Sequence, residues 1–209
     1  LGIGGWRALE ALGLDVEVCH LNEGHAALAT IERARAFAAA NGCDFFTALW
    51  ATRGGNVFTT HTPAAAAFDT FPVPLMLKYG RDYARRCGIR LEQLAGLGRA
   101  NPDDRNEPFN MAYLAARCCA RVNGVSELHG RVSRRIFAPL YPRWPESEVP
   151  VNHVTNAVHV PSWDSPWADH LWTEACGKER WLGAHERLPD AVAALSDAQL
   201  WDFRGMERR

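Results

Sequence analysis

His20-Leu-Asn-Glu-Gly-His25 closes an alternating run, Val16 to Leu21, and gives way to Ala26 to Ala40, a stretch rich in Ala, Leu, Ile, Arg and Glu that ends near Asn41-Gly42. Alternation that stops at polar residues predicts a strand, and the Ala-rich stretch before Asn-Gly predicts a helix, so the order is strand, polar turn, helix. The pattern returns. Phe58-Thr-Thr-His-Thr-Pro63 ends the β-branched and aromatic run Asn56 to Thr60, and His153-Val-Thr-Asn-Ala157 sits inside the apolar, β-branched stretch Val149 to Val160. In an α/β protein, ligands lie in the crevice outside the carboxyl ends of strands. Ends that carry His, Asn, Glu and Thr therefore predict one polar pocket assembled from distant segments.

The remaining chain fits an α/β layout. Leu1, Ile3, Trp6, Leu9 and Leu12 recur at near-helical spacing before Gly13, and Phe45 to Arg53 reads as a helix ending at Gly54-Gly55. Pro72 and Pro74 interrupt the chain before predicted helices at Leu75 to Arg86 and Leu91 to Leu97, and residues 99 to 108 are a polar, breaker-rich loop. Asn110 to Arg121 is Ala-rich helix, Val122 to Val125 a short buried strand or turn, and Ser126 caps a helix reaching Phe137, with Pro139, Pro142 and Pro145 beyond it. Six tryptophans (Trp144, Trp163, Trp167, Trp172, Trp181 and Trp201) fall beyond residue 143, a density that predicts an aromatic packing surface against something larger.

A formal charge of -1 over 209 residues supplies no global field for nucleic acid or an anionic membrane, so neither is expected as a partner. All basic residues except Lys78 and Lys178 are arginine, which leaves two amines for any imine chemistry. The six cysteines form no C-x-x-C pair and read as reduced core thiols, which predicts a cytoplasmic protein. The chain opens at Leu1 without Met and closes on Glu207-Arg-Arg209, which reads as a piece of a longer protein.

Each motif has a plainer reading. Leu1-Gly-Ile-Gly-Gly5 could cradle a phosphate, but no strand precedes it, and close helix packing explains it better. His20 and His25 flank Glu23, yet they are five apart across a Gly turn rather than i and i+4 on one helical face, so a metal-free site in which Asn22, Glu23 and His25 bond hydroxyl groups is expected. His61 alone would be a satisfied loop histidine, but it has polar company. His129 reads as packing or capping, and Cys118-Cys119 as core.

Taken together, Cys19-His-Leu-Asn-Glu-Gly-His-Ala-Ala27, Phe58-Thr-Thr-His-Thr-Pro63 with Phe68-Asp-Thr-Phe71, Asn110-Met-Ala112, Arg121-Val-Asn-Gly-Val-Ser126 with Leu128-His-Gly130, and His153-Val-Thr-Asn156 with Val158-His-Val-Pro-Ser-Trp163 resemble the α-1,4-glucan phosphorylases, most closely the shorter bacterial and archaeal type. The resemblance implies a two-domain glycosyltransferase-B-type fold of Rossmann-like layers. Residues 1–155 would be the end of the N-terminal glucan-binding domain and 156–209 the crossing into the C-terminal, cofactor-bearing one. It also implies phosphorolysis of an α-1,4-glucan by orthophosphate to α-glucose 1-phosphate, in a protein that is a homo-oligomer when complete. By resemblance His61 and Asn156 are catalytic, both at the 6-hydroxyl of the reacting glucosyl unit, with the His61 carbonyl near the developing cation. Asn22, Glu23, His25, Thr62 and Asp69 match positions near the acceptor-side glucan, and Trp163 one packed near the cofactor.

That implied cofactor is pyridoxal phosphate, and neither Lys78 nor Lys178 stands in the family's lysine motif, so the anchor is expected outside this chain. Ala157 replaces the usual Gly after Asn156. A site for a neutral, densely hydroxylated sugar needs paired donors and acceptors such as these rather than a charged patch. Two alternatives remain: a nucleotide-sugar α-glucan glycosyltransferase, and a non-catalytic glucan-binding fragment.

Overall fold

In the computed structural model, which describes residues 1–182 and 188–208, a four-stranded sheet organises the first part of the chain. Its strands are β1 (Cys19–Asn22), β2 (Asn56–Thr59), then, after the short antiparallel pair β3 (Thr70–Phe71) and β4 (Phe109–Asn110), β5 (Arg121–Gly124) and β6 (Asn152–His153). The order is β1-β2-β5-β6 and every pairing is parallel, so all four carboxyl ends lie on one side. The helices between them are α1 (Gly2–Ala11), α2 (Leu28–Asn41), α3 (Phe45–Arg53), α4 (Val73–Arg86), α5 (Leu91–Leu97), α6 (Met111–Cys118) and α7 (Glu127–Phe137). This is an α/β arrangement compatible with a Rossmann-like fold.

Register explains which side chains reach the core. Leu21, Phe58 and Val122 are aligned across β1, β2 and β5 and are buried, whereas His20, Asn22 and Arg121, on the alternate face, are exposed. Phe137 at the end of α7 meets Phe58 edge-on at 6.2 Å and stacks on Phe68 at 5.6 Å, joining the sheet to the segment before β3. Replacing so buried a ring by Ala costs about 3–5 kcal/mol.

Local chemistry sets the element ends. Asp44, Asn110 and Ser126 cap α3, α6 and α7 through their side-chain oxygens. Gly2 lies against α2, where a Cβ would sit 2.6 Å from the Ala29 nitrogen, so Gly2 serves helix packing, whereas Gly4 and Gly5 face open space. α1 already runs from Gly2, which leaves no phosphate loop there. β1 begins three residues later than the sequence predicts, because the Arg33 guanidinium takes up the Val16 and Glu17 carbonyls that a longer strand would have paired. α4 begins two residues earlier, since Pro74 in the first turn needs no N–H.

The chain divides into two compact units, Leu1–Asn156 and Ala157–Arg209. The second contains α8 (Val160–Trp163), α9 (Pro166–Cys176), α10 (Leu188–Ala193) and α11 (Asp197–Glu207). Within it Arg180 donates to Asp164 and Asp169, and Trp172 meets Phe203 at 5.8 Å. Residues 183–187 of the predicted 156–209 domain, and Arg209 of the terminal Glu207-Arg-Arg209, lie outside the described residues. Among the described residues no helix is long and apolar enough to cross a membrane.

Candidate functional site

Each polar cluster singled out in the sequence follows a strand of the parallel sheet. Asn22 is the last residue of β1, with Glu23 and the short helical turn Gly24–Ala26 after it; Thr60, His61 and Thr62 follow β2; Val154 to Asn156 follow β6. Strand-like bonding continues past the strands. Glu23 N–H donates to Thr59 O at 2.9 Å, Thr60 N–H to Asn123 O at 3.0 Å, Val154 N–H to Gly124 O at 3.0 Å and Asn156 N–H to Val125 O at 3.0 Å. Backbone pairing thus carries the polar residues out in register at one edge of the sheet.

Glu23 is the hub. Its Oε2 accepts the His61 N–H at 2.8 Å and the Thr62 hydroxyl at 2.8 Å, while Oε1 accepts the Gly24 N–H at 3.2 Å and the Thr60 hydroxyl at 3.3 Å. Those donors match the roughly four lone-pair sites of a carboxylate. Among the described residues Glu23 is the one non-glycine with positive φ, at φ 72° and ψ 168°, a region that is essentially glycine-only and costs about 1–3 kcal/mol to hold.

A second contact reaches the same segment from the β5 side. Val125 N–H donates to Nδ1 of buried His129 at 3.1 Å, which leaves the ring proton on Nε2, and Nε2 donates to Thr62 O at 3.1 Å. A further chain crosses three strands: His20 Nε2 lies 2.8 Å from Thr59 Oγ1, which donates to Asn123 Oδ1 at 3.1 Å.

The side chains of Asn22, His25, His61, Asp69 and Asn156 are exposed at this surface of the first unit. Glu23, Thr60, His61 and Thr62 are joined directly; Asn22 ends β1, His25 lies within the turn Gly24–Ala26, and Asn156 follows β6 by three residues. Asp69 is carried further along, where its carbonyl accepts the Met111 N–H at 3.0 Å. Trp163 belongs to the second unit, at the end of α8, and is exposed. Ala157 takes no left-handed conformation, so this turn has no need of the Gly it replaces.

Sequence reasoning missed the brace formed by His129 with Thr62. Their separation of 67 residues leaves no local spacing to reveal it. Among the described residues no group of three or more His, Cys, Asp or Glu could hold a metal ion. The two lysines do not fit an imine anchor: exposed Lys78 lies 5.0 Å over the Tyr79 ring, and Lys178 pairs with Asp169 at 2.7 Å. Neither amine is the desolvated, unpaired group that imine formation favours.

The geometry defines an α/β protein with an exposed polar surface at the carboxyl ends of a parallel sheet, the place where such folds hold ligands. No family model matches the chain. Curated relatives do: it is 38% identical to a glycogen phosphorylase of Mycobacterium tuberculosis over 99% of this chain and 25% of that protein. It is also 36% identical to a maltodextrin phosphorylase of Thermococcus litoralis (91% of this chain, 23% of that protein) and 31% identical to a glycogen phosphorylase of Aquifex aeolicus (100% and 30%). The chain belongs to the glycogen and maltodextrin phosphorylase family, and spans about a quarter of the length of the curated relatives it matches.

Proposed function

We propose that this chain is the glucan-facing segment of an enzyme that cleaves terminal α-1,4-linked glucosyl units of glycogen, starch or maltodextrin with orthophosphate, releasing α-glucose 1-phosphate. The observation that carries the reading is that His61, Thr62, Asn22 and Asn156 all stand at the carboxyl ends of strands of one parallel sheet, with Glu23 tying the His61–Thr62 segment to the end of β1, a set of donors and acceptors suited to neutral hydroxyls. An open surface suits one wall of a cleft in a two-domain glycosyltransferase-B-type protein. In this reading His61 and Asn156 bond the 6-hydroxyl of the reacting unit, and the His61 carbonyl faces the positive charge that develops as its ring flattens. Asn22, His25, Thr62 and Asp69 line the acceptor side, and Trp163 packs near the cofactor.

Pyridoxal phosphate, which supplies proton transfer to the substrate phosphate in such enzymes, is in this reading anchored by sequence outside these residues. The complete protein is proposed to act in the cytoplasm as a homo-oligomer. By itself the 209-residue chain would bind glucan without transferring it, because its amines fit no anchor.

The test is release of glucose 1-phosphate from maltodextrin and orthophosphate by the full-length protein. His61→Ala or Asn156→Ala should lower kcat roughly thirty- to a hundredfold, the equivalent of about 2–3 kcal/mol for a bond that tightens in the transition state, with a smaller change in KM. Product formation only from a nucleotide sugar would replace this reading with a synthase-type transferase. Wild-type kcat in Asn156→Ala would remove that residue from the reacting centre.

A further inference from the structure

The His61–Thr62 segment is gripped from both neighbouring strands. β2, which it follows, lies between β1 and β5 in the sheet. From the β1 side Glu23 accepts the His61 N–H and the Thr62 hydroxyl, each at 2.8 Å; from the β5 side His129 donates to the Thr62 carbonyl at 3.1 Å. The His61 carbonyl lies along the chain between these tied atoms, and the ring branches from the same residue. With the preceding N–H and the following C=O both fixed, the peptide joining the two residues has little freedom to turn.

Simpler roles do not account for either brace. Capping the turn Gly24–Ala26 accounts for the bond from the Gly24 N–H but not for those from His61 and Thr62, and a glycine would hold the backbone of Glu23 without strain. A side chain kept there against that cost points to work done by the carboxylate itself. Capping does not explain the His129 ring either, because Ser126 Oγ already caps α7 by accepting the His129 N–H at 3.1 Å.

We propose that Glu23 and His129 are positioning residues that set the direction of the His61 carbonyl and ring toward the reacting sugar. The proposal rests on the reading of His61 as a substrate contact. It departs from Glu23 as a glucan ligand, since the acceptor sites of its carboxylate are already occupied by the protein's own donors. Misplacement of a reacting group by as little as about 1 Å can cost up to about a hundredfold in rate, so loosening this segment should act on turnover.

The experiment uses the full-length protein with Glu23→Gly, Glu23→Gln, His129→Ala and His129→Gln. It measures kcat, KM for maltodextrin, the melting midpoint, and hydrogen exchange of the peptide containing His61 and Thr62. Glu23→Gly should keep or raise the melting midpoint, speed exchange in that peptide, and lower kcat by about tenfold or more while KM changes less. Glu23→Gln, which can still accept the His61 N–H, should recover part of the loss. His129→Gln, whose amide can donate to the Thr62 carbonyl, should stand closer to wild type than His129→Ala.

Exchange unchanged by Glu23→Gly, or a loss seen only in KM, overturns the proposal. A wild-type protein that releases no glucose 1-phosphate overturns the phosphorylase reading instead, and exchange then decides by itself whether Glu23 holds the segment.

Discussion

Replacing Glu32 tests how the helices that carry this surface are held. Its side chain is fully buried on α2, where it accepts from Arg7 of α1 and Arg35 of its own helix, each at 2.8 Å, and from the Tyr83 hydroxyl of α4 at 2.6 Å. Burial pushes the carboxyl pKa up, but the hydrogen bonds from Arg35, Arg7 and Tyr83 outweigh it and bring it from the usual 4.5 to about 2. Because the folded value is depressed, the unfolded chain binds more protons between these limits. The contribution is therefore fully present above about pH 4.5 and lost as pH falls through about 2. A fall of that size corresponds to roughly 3 kcal/mol at about 1.4 kcal/mol per pH unit, and partial exposure of both arginines reduces it to about 2.

Glu32→Gln keeps the shape, removes the charge and leaves one oxygen for the two guanidinium donors at Oε1, with an amide N–H in place of the acceptor that Tyr83 uses at Oε2. The melting midpoint at pH 7 should fall by roughly 4–8 °C, from about 2 kcal/mol at about 2–4 °C per kcal/mol. The gap to wild type should narrow as pH drops from about 4.5 toward 3, and differential scanning calorimetry across that range reads both effects. A midpoint within about 1 °C of wild type at pH 7, or a gap undiminished at pH 3, would refute the reasoning.

Three further outcomes follow from packing. Burial pushes the Cys87 and Cys118 thiols up to about 11 and raises Cys119 as well, so at pH 8 iodoacetamide should label partly exposed Cys43 and Cys176 first; mass spectrometry showing early label on Cys118 or Cys119 would contradict this. Gly2→Ala should destabilise the contact of α1 with α2, while Gly4→Ala, with nothing near its added Cβ, should stabilise by about 0.5–1 kcal/mol; chemical denaturation checks the contrast. Trp144, Trp163, Trp167 and Trp201 are each at least half exposed, so the 209-residue chain should bind a hydrophobic dye, and a monodisperse monomer without dye binding would count against an unpartnered aromatic surface.

The fold was most legible where a helix or strand announces its own ends. Phe45 to Arg53 forms the helix that its spacing predicts, with Asp44 at its cap, and Ser126 starts α7. Boundaries shifted where a distant group took over backbone bonding. The helix predicted over Asn110 to Arg121 ends at Cys118, because the Ala120 N–H turns to the carbonyls of Arg53 and Asn56 and the chain enters β5. Val149 to Val160 reads as one β-branched run, yet only Asn152–His153 forms a strand, while Val154 and Asn156 still donate to Gly124 and Val125. β3 and β4 were not legible, since a pair of two-residue strands has too few residues to show alternation.

At the candidate site, sequence pattern revealed which polar residues stand at strand ends but not which of them are already engaged by the protein itself. Asn22 and Glu23 are neighbours and look alike as sugar ligands. In the structure Asn22 remains exposed, while Glu23 is satisfied by donors from its own turn and from the segment after β2. No local rule separates them, because the partners of Glu23 beyond its own turn lie 37 to 39 positions away and reach it only through parallel pairing of β1 with β2. Pairing of β2 with β5 likewise brings His129, on the helix after β5, to Thr62. A hydrogen-bond acceptor in a loop is thus a candidate ligand only after its internal donors have been counted, and that count separates Glu23 from the exposed side chains of His61, Asn22 and Asn156.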